Sequence, residues 1–337
     1  MSKHKLTWAI ACVALALLMA FSAAYAGDPA RTGTAAGEQV LIPVGARDLA
    51  MSGSNLAFSS GLDAIYWNPG GLSGMHHNAM AGVSTMQIFG DINVNYLALG
   101  FKMGKFGYLG LSLKSLDFGD IDETTNQFID GTGATYSPSY MTGGLTYSQR
   151  LTDAIFVGAT AKIISERVPR ASATAFAFDV GIQYHNLGGF NGFSMGLVVK
   201  NIGTNMQYSG SAFLSPTPDG SNYVERPTAS HQLPGAVELG LGYKYNFNET
   251  NSVVLNGNFG NNNFGNDDYK LGLEYGYSDL VFLRGGYKFL NDVDSEDVLN
   301  KWTLGVGLHY KWLTFDYTYR DSEFFDGENL FQLTFGF

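Results

Sequence analysis

The chain has 337 residues and a formal net charge of −10; 14% of its residues are aromatic, 15% are charged and 43 are glycine. That acidity argues against a nucleic-acid partner, whose phosphates would be repelled. The single cysteine, Cys12, sits in an apolar run near the start, so the rest of the chain has neither a disulfide framework nor thiolate metal ligands.

Met1 to Ala26 reads as a signal segment: Lys3, His4 and Lys5 precede an apolar run from Trp8 to about Ala24, and Ala24-Tyr25-Ala26 fits the small-x-small cleavage rule. Cleavage there removes Cys12 and leaves Gly27 as the first residue. No later segment has the roughly 18 uninterrupted apolar residues of a membrane-spanning helix. An exported chain of this kind is either soluble or a β-barrel, and low charge with many aromatics and glycines favours the barrel.

The stretch from Gly45 to Leu72 differs from everything after it. Ser60-Gly61-Leu62-Asp63 has the form of a capping box, which predicts a short helix from Leu62 to Trp67. Asn68-Pro69-Gly70-Gly71 ends it, because Pro69 removes a donor and disfavours helical geometry at Asn68. A compact, partly helical piece ahead of a long run of strands suggests a plug, spanning residues 27–77, inside a barrel of residues 78–337.

From about Asn78 the pattern has period two, and alternation bounded by turn residues predicts fourteen strands. They are Ala79–Met86, Ile92–Met103, Phe106–Phe118, Ser139–Arg150, Ala154–Val168, Ala173–His185, Gly192–Asn201, Pro234–Tyr245, Asn251–Gly260, Asp268–Tyr277, Leu280–Phe289, Lys301–Tyr310, Trp312–Arg320 and Asn329–Phe337. Connections after even-numbered strands are tight, as at Gly104-Lys105 and Ser278-Asp279. Those after odd-numbered strands are mostly long, as at Gly119–Pro138 and Ile202–Leu233, with Phe89-Gly90-Asp91 as the exception. Short inner turns alternating with long outer loops are the mark of outer-membrane barrels.

Side-chain faces agree with this. Trp302, Leu304, Val306, Leu308 and Tyr310 share one face of the twelfth strand, and Thr303, Gly305, Gly307 and His309 the other. In the second strand the apolar set changes face between Tyr96 and Leu97, which predicts a bulge. The chain ends Phe335-Gly336-Phe337, alternating to its last residue. The predicted fold class is therefore all-β: a 14-stranded antiparallel transmembrane β-barrel in lipid of the bacterial outer membrane, with a short, partly helical N-terminal plug. If the lipid face is assigned correctly, Asp179, Lys200, Glu238, Lys244, Lys270, Glu274, Arg284, Lys288 and Asp316 point into the lumen. They either hold the plug and line a path or pair with one another across strands. Arg47 and Asp48 are the plug residues expected to pair with that wall.

Several blocks, taken in order, resemble the PorV/PorQ family of outer-membrane proteins, related to the FadL-type transporters of hydrophobic molecules. They are Val44-Gly45-Ala46-Arg47-Asp48-Leu49-Ala50-Met51, Tyr66-Trp67-Asn68-Pro69-Gly70-Gly71-Leu72, Asp91-Ile92-Asn93-Val94-Asn95-Tyr96, Leu145-Thr146-Tyr147 with Leu151-Thr152-Asp153, Ala177-Phe178-Asp179-Val180-Gly181, Lys200-Asn201-Ile202-Gly203 and Leu233-Pro234. The resemblance implies a plugged 14-stranded barrel in which Arg47, Asp48, Asp63, Tyr66, Trp67, Asn68 and Pro69 belong to the plug. For PorV-like members it implies binding or handing on secreted proteins among the components of type IX secretion. For FadL-like relatives it implies passive uptake of apolar small molecules. Neither reading is enzymatic, and neither implies a cofactor.

Other motifs carry less. Gly192-Phe193-Ser194-Met195-Gly196 matches the G-x-S-x-G nucleophile pattern, but a strand runs on where that motif requires a sharp turn into a helix. Asp292-Val293-Asp294-Ser295-Glu296 begins with calcium-loop spacing, yet Asp297 replaces the required glycine and Thr303 the bidentate glutamate, so an acidic outer loop is the reading. His185 and His309 lie on polar faces without the spacing of metal ligands. The long connection from Ile202 to Leu233 carries Tyr208, Phe213, Leu214 and Tyr223, either as a surface for docking a partner or as a lid over the barrel mouth.

Overall fold

The computed structural model describes residues 27–291, 293 and 298–337. Among them, fourteen antiparallel strands close into a barrel in which each strand pairs with its neighbour in the chain. The strands are β1 (Ala79–Gln87), β2 (Asn93–Lys102), β3 (Tyr108–Asp117), β4 (Ser139–Arg150), β5 (Ile155–Val168), β6 (Ala171–Tyr184), β7 (Phe193–Gly203), β8 (Ala236–Asn246), β9 (Asn251–Asn262), β10 (Asp268–Tyr277), β11 (Val281–Leu290), β12 (Trp302–Tyr310), β13 (Leu313–Arg320) and β14 (Glu328–Gly336). β1 pairs with β14, Val83 facing Leu333, so no barrel strand is left as an open edge. The expected signal segment lies outside the described residues, as does the acidic stretch from Asp292 to Asp297 apart from Val293.

Alternation does what the sequence demands. Leu271 and Leu273 of β10, Leu283 of β11 and Leu304 and Leu308 of β12 are exposed on the outside, while Glu274, Arg284 and Thr303 between them are buried within. Near the long-connection end, aromatic pairs such as Phe259/Tyr269, Tyr287/Phe289 and Trp302/Tyr319 ring the belt, with centroids 5.2, 4.6 and 5.3 Å apart. An apolar belt edged by aromatics meets lipid, and a closed barrel satisfies its own backbone there. This is a bacterial outer-membrane barrel.

Three details differ from expectation. β2 has no bulge: its pairing with β1 and β3 is continuous, and Val94 and Tyr96 are apolar residues facing inward onto the plug, while Leu97 and Phe101 face outward. β5 and β6, the longest strands, are joined by a tight turn at Pro169-Arg170, a second exception to the loop-length rule. The outer connections also contain three small hairpins, Ile121–Asp122 with Thr135–Tyr136, Met206–Gln207 with Ser230–His231, and Leu214–Pro216 with Tyr223–Glu225.

The N-terminal segment is packed inside the barrel, and two single-turn helices organise it, α1 (Ala46–Leu49) and α2 (Ala64–Trp67). The predicted capping box does not form. α2 starts two residues later than expected, the Ser60 hydroxyl accepts from Arg47 Nη1 (3.1 Å), and Asp63 Oδ1 accepts instead from Gln332 Nε2 of the wall (2.7 Å). Nor does Pro69 simply end a helix: it opens a 3₁₀ helix, Pro69–Gly74, whose Gly70 N–H is capped by Asn68 Oδ1 (3.3 Å).

Helices this short leave most of their backbone groups without intrahelical partners, and the wall supplies several to α1 and to the segments beside the two helices. Gln332 Oε1 accepts from Ala46 N (2.8 Å), Thr318 Oγ1 donates to Ala46 O (2.6 Å) and Thr303 Oγ1 donates to Ala50 O (2.9 Å). Gln183 Nε2 donates to Leu56 O and Ser59 O (2.9 and 2.8 Å), and Ser148 Oγ to Gly70 O (2.8 Å).

Such contacts need backbones close together, and inward-facing glycines provide the room. A Cβ at Gly158 would fall 2.4 Å from the Pro69 carbonyl, one at Gly196 2.4 Å from Leu56 O, and one at Gly286 2.3 Å from the Met51 carbonyl carbon and 2.5 Å from Ser52 N. Gly285, next along β11, faces outward, and its Cβ would meet Leu304 Cδ2 at a comfortable 3.5 Å. Gly286→Val is expected to lose about 1–3 kcal/mol, seen as a lower unfolding temperature on gels that separate folded from unfolded barrel. Gly285→Ala should leave that temperature within error of wild type.

Candidate functional site

Between the plug and the long connections lies a cavity of about 320 Å³. Val40, Leu41, Pro43, Tyr66 and Trp67 of the N-terminal segment form its floor. α2 holds the two rings, which meet edge to face at 5.0 Å. The Tyr66 hydroxyl donates to Val40 O and Leu41 O (both 3.2 Å), and Trp67 Nε1 to Val44 O (2.8 Å). Lys200 Nζ lies 5.2 Å from the Tyr66 ring centroid and 5.1 Å from that of Trp67. Lys114 Nζ is also 5.2 Å from Tyr66 and donates to Gln39 O and Ile42 O (2.6 and 2.8 Å), fastening the segment to β3. Asn68 Nδ2 donates to Leu56 O and to Ile182 O of β6 (3.1 and 3.2 Å), and Pro69 packs against Gly181.

The cavity wall is charged. Lys162 Nζ is 2.7 Å from Asp179 Oδ1, Lys200 Nζ is 2.8 Å from Glu238 Oε1, and Lys270 Nζ bridges Glu238 Oε2 (3.0 Å) and Asp268 Oδ1 (3.1 Å). Arg320 pairs with Glu328 at the mouth. A bulge gathers part of this set. Phe178 pairs with Ile202 but Val180 with Val199, so Asp179 alone faces both Lys200 and Asn201, and these two consecutive side chains both turn inward. Asn201 takes the strained residue of the bulge at φ 58°, a conformation asparagine adopts more readily than most residues, and its N–H donates to Asp179 Oδ1 (2.7 Å).

Below the cavity a second network ties plug to wall. Arg47 meets Glu274 of β10 with both Nε and Nη2, each at 3.2 Å. Arg284 Nε is 2.7 Å from the same carboxylate and its Nη1 is 2.5 Å from Asp316. Asp48, expected on the wall beside Arg47, does not reach it. The Met51–Ser59 loop folds back over Asp48, which accepts from Asn55 Nδ2 (2.6 Å) and from the Ser59 hydroxyl. Asp63 lies nearby, and burial, reinforced by repulsion from Asp48, raises its carboxyl to about 7.

Of the other residues singled out in the sequence, Asp179, Lys200, Glu238, Lys270, Glu274, Arg284, Lys288 and Asp316 lie on the lumen side. Lys244 does not join them; although on the right face, it stands at the short-turn rim, where β8 runs out of the barrel and its side chain is exposed. Lys114, Lys162, Asp268, Arg320 and Glu328 belong to the site but escaped sequence reasoning. Their place on the inward register of β3, β5, β10, β13 and β14 was the available signal. The long connection divides in two. Met206 and Leu233 are buried against Ile164 and Val40, and Tyr208 donates its hydroxyl to Glu166, as in a lid. Leu214 and Tyr223 stand exposed on the outer hairpin, and Phe213 is half-buried beside them.

Ser194 of the nucleophile-like motif is buried within β7, its Oγ 3.4 Å from His185 Nδ1, too far for a firm hydrogen bond and without the motif's turn. His309 lies against Phe282 and 3.8 Å from Asp316. Among the described residues no cluster of three or more potential ligand side chains could hold a metal ion.

No family model matches the sequence, and no characterised protein matches it significantly. Solved structures do match in fold. The toluene transporter TodX of P. putida superposes with a TM-score of 0.56 at 12% identity, over 88% of this chain and 99% of its own. The monoaromatic hydrocarbon channel CymD gives 0.53 at 12% identity, over 88% and 98%. A Pseudomonas aeruginosa FadL homologue also matches, at 0.45 and 11% identity, over 83% and 95%. At such identities the likeness to TodX and CymD is one of fold alone.

Arg47→Ala leaves Glu274 held by Arg284 alone. It is expected to cost about 1–3 kcal/mol and to raise the conductance of the barrel in planar bilayers; unchanged stability and conductance would dissociate Arg47 from plug retention. For Asp63 the raised carboxyl means that its protonated form suits the folded state, so its contribution is complete below about pH 4 and is lost as pH rises through 7. The unfolding temperature of wild type should match that of Asp63→Asn near pH 4. It should fall progressively below that of the variant up to pH 7, by at most about 1.4 kcal/mol per pH unit.

Proposed function

We propose that this barrel is a passive, plugged uptake channel of the outer membrane, taking small, largely apolar molecules from the outside into the cavity above α2 and past the plug. The observation that carries the reading is the cavity with an aromatic and aliphatic floor, in a barrel that shares its fold with two hydrocarbon channels. A concave, largely preformed pocket with a few fixed polar groups suits a small ligand. Passive uptake of this kind calls for no step of bond-making chemistry.

The resemblance to PorV/PorQ proteins supplies a second reading, in which the outer loops engage exported proteins of type IX secretion. One observation favours it, the exposed Leu214 and Tyr223 on a hairpin projecting from the longest connection. The cavity and the structural neighbours weigh more heavily for uptake.

Apolar tracers cross plain lipid freely, so the test belongs in cells with an intact lipopolysaccharide leaflet. Cells producing the protein should accumulate N-phenyl-1-naphthylamine several-fold faster than cells without it. Equal rates, together with capture of secreted proteins that Tyr223→Ala abolishes, would replace uptake by the secretion reading.

A further inference from the structure

Among the described residues, the cavity wall carries one more positive charge than its pairings use. On the lumen face of β10 and β11, Lys270 and Lys288 stand directly opposite each other. Like charges in that position repel, and in a sheet built for stability one would be exchanged or each would be given an acid. Lys270 has two, Glu238 and Asp268. Glu238 is also taken by Lys200, and the neighbouring Arg320 is satisfied by Glu328. Lys288, which lines the same cavity, has neither a hydrogen-bond nor an ion-pair partner for its ammonium group among the described residues. Lys288 is half-buried in the cavity lining, and a partly desolvated ammonium with no partner gains from an anion that joins it.

Resting on the uptake reading, the geometry points to a more definite ligand: a compact organic carboxylate whose charged group pairs with Lys288 while its apolar body lies on the Tyr66 and Trp67 floor. The volume, about 320 Å³, holds a ring with one or two substituents and not an extended chain. The charge is read by a single lysine because the other cations of the wall are already engaged, so the site selects for one anionic group and against polyanions, which would meet Glu238 and Asp268. The acid enters as the anion and leaves unchanged; no bond is made or broken.

Calorimetry on the purified barrel in detergent, with sodium benzoate and its neutral counterpart benzamide as probes, tests this. Benzoate should bind saturably, with benzamide at least about ten-fold weaker, the scale of one charge-assisted contact. Lys288→Met should weaken benzoate about ten-fold or more, leave benzamide binding unchanged and hold or raise the unfolding temperature, whereas Lys288→Arg should keep most of the affinity. Equal binding of the two probes, no binding of benzoate, or benzoate binding indifferent to Lys288→Met would overturn the assignment. The naphthylamine assay separates this from the reading beneath it. If benzoate fails while the tracer still enters through the barrel, the anion site falls and uptake stands; if the tracer does not enter, uptake falls with it.

Discussion

A polypeptide folded inside a closed barrel gives up water on every side, and each of its polar groups must then be met by the wall or by itself. This constraint accounts for much of what the wall looks like. α1 is a single turn whose backbone groups are answered by Gln332, Thr318 and Thr303 rather than by further helix, and Gln183 answers the loop that leads from it to α2. The glycines that face inward from β5, β7 and β11 are the same requirement in steric form, since a backbone can be met at hydrogen-bonding distance only where no side chain intervenes. The interior is therefore neither a water channel nor an apolar core, but an interface between two parts of one chain.

Electrostatics inside and outside follow different rules. The whole chain is acidic, with a net charge of −10, yet the cavity lining is close to balanced, because most charges held away from water are paired. Lys162 with Asp179, Lys200 and Lys270 with Glu238, and Arg320 with Glu328 obey that rule on the cavity side. Glu274, Arg284 and Asp316 obey it beneath, with Arg47 as the contribution of the plug. The bulge at Lys200-Asn201 is what permits the first set to assemble, since regular alternation would have turned one of those two side chains toward lipid.

The barrel was legible because its signal is physical and local. Alternation located fourteen strands, and the parity of connection lengths located their two ends; both follow from the lipid on one face and the wall on the other. What the sequence concealed were matters of context. Val94 and Tyr96 look like lipid-facing residues, and only the presence of the plug explains apolar side chains turned inward, so a bulge was expected in β2 where the strand is regular. The true bulge in β7 left no mark, because Lys200-Asn201 reads as the polar end of a strand. Ser60 and Asp63 had the right spacing for a helix cap, but the wall offered Asp63 a better partner in Gln332. Asp48 and Lys244 were misplaced for complementary reasons: one is wrapped by a loop whose path no periodicity describes, and the other lies where the strand leaves the barrel.

The loop between β7 and β8 is not merely draped over the mouth. Gln232 receives the Ala36 N–H (3.0 Å) on its backbone and Arg31 Nη2 (2.7 Å) on its side chain, and Met206 and Leu233 clasp Val40, whose carbonyl in turn receives the Tyr66 hydroxyl. The outer loop and the aromatic pair of the floor thus share Val40 as a common point of attachment. The contacts that hold the cover in place are therefore continuous with those that hold the floor.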